Sequence, residues 1–534
     1  MACVFFSFVL KNDFFPDRKG TQVRGWNPYA RYLDQWATDK PQRANGGMYG
    51  SHIQDEARAR ESGIEENSGC RRVHVHSSKK GTLSLLGCLL LSCAVTAGDG
   101  RNSEIEKKNA ADVDVLFHAT AQGRYPGAAV GIIRDGQPVL MKGYGLSDVE
   151  KGTPITSSTI FRIGSLTKSF TAIAILQLED NGKLRLDDPV AKYLPDFPHG
   201  GEIQIRYLLS HTGGVPDFVS YEEVKKMSLE FTPGTRINYS NTGYDMLGMI
   251  IEKASRQKYE EYLQEHIFEP AGMKHSGYDR RAELPGRARG YLLDGKGAYT
   301  AIAAKDVAGA FAAGGLYSNV EDLGRWLQAL GAGKLLRQEL LQQASTPYQL
   351  TDGRQTAYGF GFMTGSYRGL REYGHGGDIE GFNAYLMRFP KQNFAVIVLS
   401  NTGMRPPGPV PDAGAIAYHI ADIYLADSLE KPTAVLPVHI APGVLDSYVG
   451  RYQVQAPGPI LDAMGSYLTI TRDGEQLAAE SKLGKNALEA ISQTTFRASG
   501  SPAELTFVRN GEGKVSQMII TLGGLREFPA NRVD

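Results

Sequence analysis

The chain has 534 residues, room for two or three domains and a sizeable core. Lys plus Arg and Asp plus Glu both number 58, so there is no net charge, and no contiguous basic stretch asks for nucleic acid. All four cysteines (Cys3, Cys70, Cys88, Cys93) precede residue 94, which excludes a disulfide framework or a thiolate metal site from the rest of the chain.

Residues 1–78 mix Phe-rich, Arg-rich and Gly/Ser-rich pieces without a sustained period, and read as a disordered or mis-called leader. Lys79-Lys80 then precede a mostly apolar run from Leu83 to Ala97. That is the pattern of a secretory signal over 79–97, and it is too short to span a bilayer comfortably. A signal belongs at a chain start, so a start near Val75 is expected. Val95-Thr96-Ala97 offers an ordinary cleavage site. Leu90-Leu91-Ser92-Cys93 instead resembles a lipoprotein box, unusual at Leu91, which would make Cys93 a lipid anchor. Both patterns predict an exported protein: periplasmic, membrane-anchored as a lipoprotein, or secreted.

From Val113 to Asp427 strand-like and helix-like segments alternate. Ala128–Ile133 and Val139–Tyr144 flank Asp135-Gly136, and Phe382–Phe389 and Phe394–Leu399 flank Pro390-Lys391-Gln392-Asn393, so two hairpins are predicted. Helical stretches lie between them, such as Tyr244–Ala254 and Glu321–Leu330, and Ala413–Leu425 reads as a last helix. Strands at both ends with helices between predict an α/β (α+β) fold over 113–427, one antiparallel sheet flanked by helices plus a helical lobe. A linker over 428–442 leads to 443–534. There, short alternating strands (Tyr467–Thr471, Glu504–Val508, Gln517–Thr521) and the turns Asp473-Gly474 and Asn510-Gly511 predict a small all-β barrel or half-barrel.

Chemistry concentrates at Ser165-Leu166-Thr167-Lys168. A helix places Ser165 and Lys168 on one side, and the apolar stretch that follows keeps the lysine poorly hydrated. Such an amine can take the proton of the neighbouring hydroxyl and make a nucleophile without a histidine. Two further pieces follow in order, Tyr239-Ser240-Asn241 and His375-Gly376-Gly377. Each has a rival. Ser77 with Lys80 repeats the spacing in the leader. Tyr317-Ser318-Asn319 reads as a helix entry capped by Ser318 or Asn319. His211-Thr212-Gly213 reads as a structural turn after Ile205–Ser210, and His199-Gly200-Gly201 as a loop. His74 and His76 lack partners at ligand spacing, so no metal site is expected.

The segments FRIGSLTKSFTA, LLSHTGGVPD, YSNTGYDMLGMIIE, AAGGLYSNVEDLGRWL and HGGDIEGFNAYLMRFP resemble the class C β-lactamase and D,D-peptidase (penicillin-binding-protein-like) superfamily of serine hydrolases. The resemblance covers about residues 113–427, and the C-terminal region is similar to an extra β domain that some members carry. It implies Ser165 as nucleophile, Lys168 as its base, and Tyr239 as a proton relay whose phenol a cationic Lys168 would make more acidic. It implies Asn241 as holder of Lys168 and of the substrate amide. His375-Gly376-Gly377 would be the edge strand that clamps substrate, with the Asp378 amide joining that of Ser165 as an oxyanion hole. No cofactor is implied, the substrate is a small molecule or short peptide, and the oligomeric state stays open.

One departure redirects the expected activity. The β-lactamases proper carry a lysine where His375 stands, and a histidine is mostly neutral at pH 7, so carboxylate recognition should weaken. The expected function is amide or ester hydrolysis of the D,D-carboxypeptidase, D-aminopeptidase or esterase type. A true β-lactamase and a non-catalytic penicillin-binding, peptide-binding or scaffold relative are the alternatives. The C-terminal domain, set beside the cleft, is expected to restrict access to it.

Overall fold

Asp135 and Gly136 join strand β1 (Ala128–Arg134) to β2 (Gln137–Tyr144), and both take positive φ (51° and 73°). That backbone matches the twist of the two strands it connects. The computed structural model describes residues 104–280, 284–294, 297–302, 310–403, 410, 412–431 and 438–534. The leader, the signal-like run over 79–97 and Cys93 lie outside the described residues. Asp112–Asp534 lie within one compact unit.

The N-terminal hairpin joins strands from the far end of the domain: β3 (Met363–Tyr367), β4 (Leu370–Ile379), β5 (Phe382–Phe389) and β6 (Phe394–Ser400). The six-stranded sheet runs β3-β4-β5-β6-β1-β2, with antiparallel neighbours throughout. β1 and β6 are apolar on both faces because both faces are covered. Helix α1 spans Thr167–Asp180, α2 Asn241–Ser255, α3 Val320–Gly331 and α4 Ala413–Tyr424. α3 lies on one face, where a side chain at Gly131 would meet Val320. α4 lies on the other, where Arg134 sits over the Tyr424 ring at 5.3 Å. Asn319, not Ser318, caps α3: its Oδ1 accepts from the Asp322 amide at 2.8 Å.

α1 is buried along nearly its whole length, so it is a core helix rather than an amphipathic surface one. Phe170 stacks on Trp326 of α3 with centroids 4.4 Å apart and planes at 22°. This packing fixes α1 against α3 and sets the direction in which its first turn points.

The C-terminal region is a fully closed barrel of eight antiparallel strands in sequential order: β7 (Gly450–Val454), β8 (Tyr467–Asp473), β9 (Gln476–Ser481), β10 (Gly484–Ala490), β11 (Thr495–Ala498), β12 (Ala503–Arg509), β13 (Val515–Leu522) and β14 (Arg526–Arg532). β14 closes it onto β7 through Tyr452↔Arg532. Alternate residues such as Leu477, Phe496, Phe507 and Phe528 point inward and form a core of their own. Helix α5 (Pro442–Tyr448) contributes Tyr448, whose ring stacks on Phe507 at 4.2 Å.

Candidate active site

Ser165 stands one turn ahead of α1 rather than in it. Gly164–Leu166 form a 3₁₀ turn that runs directly into the helix, so the serine and Lys168 still share a face. Gly164 takes a φ of +49°, and a side chain there would lie 2.9 Å from the Asp378 amide nitrogen. Glycine is thus needed for both its conformation and its bareness. β4 presses equally closely from the other side, since a side chain at Gly377 would lie 1.9 Å from the Ile163 carbonyl. The turn bearing Ser165 and the strand bearing Asp378 are therefore in backbone contact.

The edge position that the resemblance implied for His375-Gly376-Gly377 is corrected: the outermost strand on that side of the sheet is β3. The register explains why the strand still reaches the serine. β3 pairs with β4 only from Leu370 to Gly374. Beyond Gly374 that side of β4 faces Gly164 instead of another strand.

Lys168 is fully buried. Its Nζ donates to Ser165 Oγ at 3.1 Å, Asn241 Oδ1 at 2.7 Å and the Ala313 carbonyl at 2.8 Å. It also lies 4.8 Å from the ring centroid of Tyr239 and 5.6 Å from that of Tyr244. Burial drives the amine well below its ordinary 10.5, against the weaker opposing pull of Asp217 and Asp245. Asp245, on α2, is pushed up by its own burial, and its Oδ1 accepts from the Ala313 amide at 3.1 Å.

Ser240 is the reason that Tyr239 and Asn241 point as they do. Its Oγ caps α2 by accepting from the Gly243 amide at 3.0 Å, so Asn241 opens the helix and Tyr239 ends the preceding extended segment. Tyr239 is hydrogen-bonded to Ser165, but its phenol is held above its ordinary value rather than below. The expected acidification by Lys168 is thus corrected: the dominant effect is burial of the phenol, which keeps its proton on. Asn241 is committed on both sides, to Lys168 through Oδ1 and to Asp217 Oδ1 through Nδ2 at 3.1 Å.

His375 is 2% exposed. Its Nδ1 donates to the Gly376 carbonyl at 2.5 Å, which leaves Nε2 to accept from the Tyr358 hydroxyl at 2.8 Å. Burial, with Lys168 nearby, pushes the ring down to about 3, so it is neutral. The ring is tied back into the protein, and what β4 can offer a substrate here is backbone.

Further residues, assigned no role at this site by the sequence, complete it. His211 does form the turn expected of it, at φ +58°, but its ring also packs 4.2 Å from that of Tyr239, and its Nδ1 accepts from the Ser240 amide at 3.1 Å. Burial holds it neutral as well. Tyr358 completes the aromatic wall. Asp217 holds the start of α2, accepting from the Asn241 amide at 2.7 Å, and is itself paired with Arg526 of the barrel. Among the described residues no group of three or more His, Cys, Asp or Glu could hold a metal ion.

The chain is similar to known proteins. A family model described as Beta-lactamase matches residues 110–421. The protein named Protein flp from Staphylococcus aureus (strain MW2) is 30% identical over 316 residues, 54% of this chain and 62% of its own length, so the chain spans less than two thirds of that relative. The octameric penicillin-binding protein homologue from Pyrococcus abyssi superposes with a TM-score of 0.53 at 26% identity, covering 79% of this chain and all of its own. The D-amino acid amidase from Ochrobactrum anthropi SV3 gives a TM-score of 0.52 at 25% identity, covering 60% of this chain and 98% of its own.

Proposed function

The chain belongs to the beta-lactamase family of serine hydrolases, and from that membership we propose that it hydrolyses an amide or ester bond of a small molecule or short peptide through an acyl intermediate on Ser165. The observation that carries this reading is the dry Lys168 amine within 3.1 Å of Ser165 Oγ. As Oγ attacks the substrate carbonyl, neutral Lys168 takes the hydroxyl proton. The oxyanion that forms is met by the amides of Ser165 and Asp378, and losing one such donor costs about 3–4 kcal/mol of transition-state stabilisation. Tyr239 hands its proton to the departing amine or alkoxide and is reprotonated from Lys168. Water then attacks the acyl-Ser165 ester while the same amine accepts its proton, and as the acyl–Oγ bond breaks that proton passes to Ser165 Oγ, releasing the acid and restoring the free serine.

Two observations favour peptide, D-amino acid amide or ester substrates over β-lactams. The position that is a lysine in β-lactamases proper holds a buried, neutral ring, so no cation is provided there for a β-lactam carboxylate. The likeness to a D-amino acid amidase supports D-amino acid amides as the first class to examine.

The test is a panel of a chromogenic cephalosporin, a short-chain nitrophenyl ester and D-alanyl and D-amino acid amides, run with the wild type and Ser165→Ala. The amides or the ester should turn over faster than the cephalosporin, and Ser165→Ala should abolish that turnover. Activity that survives the substitution would overturn the reading.

A further inference from the structure

The last barrel strand continues into the catalytic site. The Tyr239 amide donates to the Leu525 carbonyl at 2.9 Å, the Glu527 amide donates to the Ile237 carbonyl at 3.1 Å, and Asn238 bridges Arg526 in antiparallel fashion. The segment that delivers Tyr239 is therefore stitched to the start of β14. From this stitch the Arg526 guanidinium reaches Asp217 Oδ2, with the two side chains 14% and 6% exposed. Asp217 Oδ1 accepts from both nitrogens of Asn241, and Asn241 Oδ1 accepts from Lys168. A guanidinium, a carboxylate, an amide and an amine thus form one continuous chain from the barrel to the Ser165 neighbourhood.

We infer that Arg526 is a positioning residue of the Ser165 site, which pairs with Asp217 so that the carboxylate orients Asn241 without adding an uncompensated negative charge beside Lys168. The inference rests on the reading of Ser165 as the acylated group. It makes the barrel a structural part of the catalytic centre, in addition to any part it has in shaping access.

The physical consequence is electrostatic. A buried carboxylate stripped of its partner favours the protonated form of a nearby amine. Lys168 is faced by Asp217 from the loop before α2, by Asp245, Tyr239 and Tyr244 from α2 and its entry, by His211, and by His375 from β4. Arg526 is faced by Asp217, Glu230, His211 and Tyr239. Both histidines are held neutral by burial. Removing Arg526 therefore leaves the Asp217 carboxylate facing the amine without its paired guanidinium, while Asp245, pushed up by its own burial, adds less negative charge.

The experiment measures the rate of Ser165 acylation by a fluorophosphonate probe against pH, on the full chain, with thermal melts on every variant. Arg526→Ala should move the acid limb of the profile up by about one pH unit and slow labelling near pH 6.5 by about tenfold. Arg526→Lys should recover part of that loss. Adding Asp217→Asn to Arg526→Ala removes the exposed charge while keeping an acceptor for Asn241, and should return the limb toward the wild-type position. A folded Arg526→Ala with the wild-type profile would overturn the inference. If Arg526→Ala melts below the assay temperature, the charge-neutral Arg526→Gln, which keeps a hydrogen-bond donor for Asp217, decides in its place: a limb unmoved from wild type overturns the inference, and an upward shift supports it. A wild-type chain that is not labelled at Ser165 would instead overturn the Ser165 reading itself, and the inference with it.

Discussion

Lys168 is the residue on which the proposed chemistry turns. It has three acceptors within hydrogen-bonding distance, so its geometry suits an ammonium, while its burial favours the neutral amine. The second effect outweighs the first, and the amine lies well below its ordinary range. A base must be unprotonated to act, so kcat/KM should fall as the pH drops through this lowered value and should rise on the alkaline side of it. Lys168→Arg replaces the amine by a guanidinium that does not deprotonate in the working range, and should lower kcat/KM by about 10²–10⁴-fold at every pH. A steady-state profile with the acid limb intact in that variant would assign the limb to another group. Ser165 and Lys168 were legible in the sequence because a short spacing on one apolar helix fixes their relation, and Tyr239 and Asn241 through the order of the motifs and the resemblance of their segment to the family. The parts that Asp217, Tyr358 and His211 play at the site were not, because each reaches it from a loop or turn whose course depends on tertiary packing.

At the scale of elements, the decisive contact is between the 3₁₀ turn at Gly164–Leu166 and the part of β4 beyond Gly374. Both hairpins could be read from Asp135-Gly136 and Pro390–Asn393, since turn chemistry is local. The place of β4 within the sheet could not, because register between strands is set by pairing across the molecule. Pairing leaves β3 too short to cover the end of β4, and that shortfall is what opens the strand toward Ser165. Gly377→Ala tests the contact. Its methyl would lie 1.9 Å from the Ile163 carbonyl, a backbone atom that cannot step aside without moving the turn. A displacement of this size should cost about 10²-fold in kcat. Gly365→Ala on β3 is the control, because its methyl would come no closer than 3.5 Å to a neighbouring atom, Glu372 Oε1, and should leave kcat near wild type. Equal losses in the two variants would show that the sheet as a whole, and not the close approach at Gly377, limits the rate.

At the scale of the molecule, the described residues include one large core around α1 and the six-stranded sheet and another inside the barrel. They meet where β14 pairs with Ile237–Tyr239, where Leu525 packs on Tyr239 and Tyr358, and where Arg354 pairs with Glu527 at 2.9 Å. The composition shift after residue 442 revealed a separate β region, but not this docking, since Arg526 and Asp217 lie 309 positions apart. A barrel that only covers the cleft and a barrel built into the site behave differently when its own core is weakened. Phe507→Ala removes a ring that stacks on Tyr448 deep inside the barrel, far along the strands from the docking edge, and should cost about 3–5 kcal/mol. Calorimetry should then separate an early barrel transition from a later one of the sheet domain. If the barrel were a cover, its melting would spare or raise activity toward a short nitrophenyl ester while admitting bulkier amides. Because β14 holds the segment that carries Tyr239, activity toward small and bulky substrates should instead disappear together across the first transition, before the sheet domain unfolds. Retention of ester hydrolysis above that transition would return the barrel to the role of a cover.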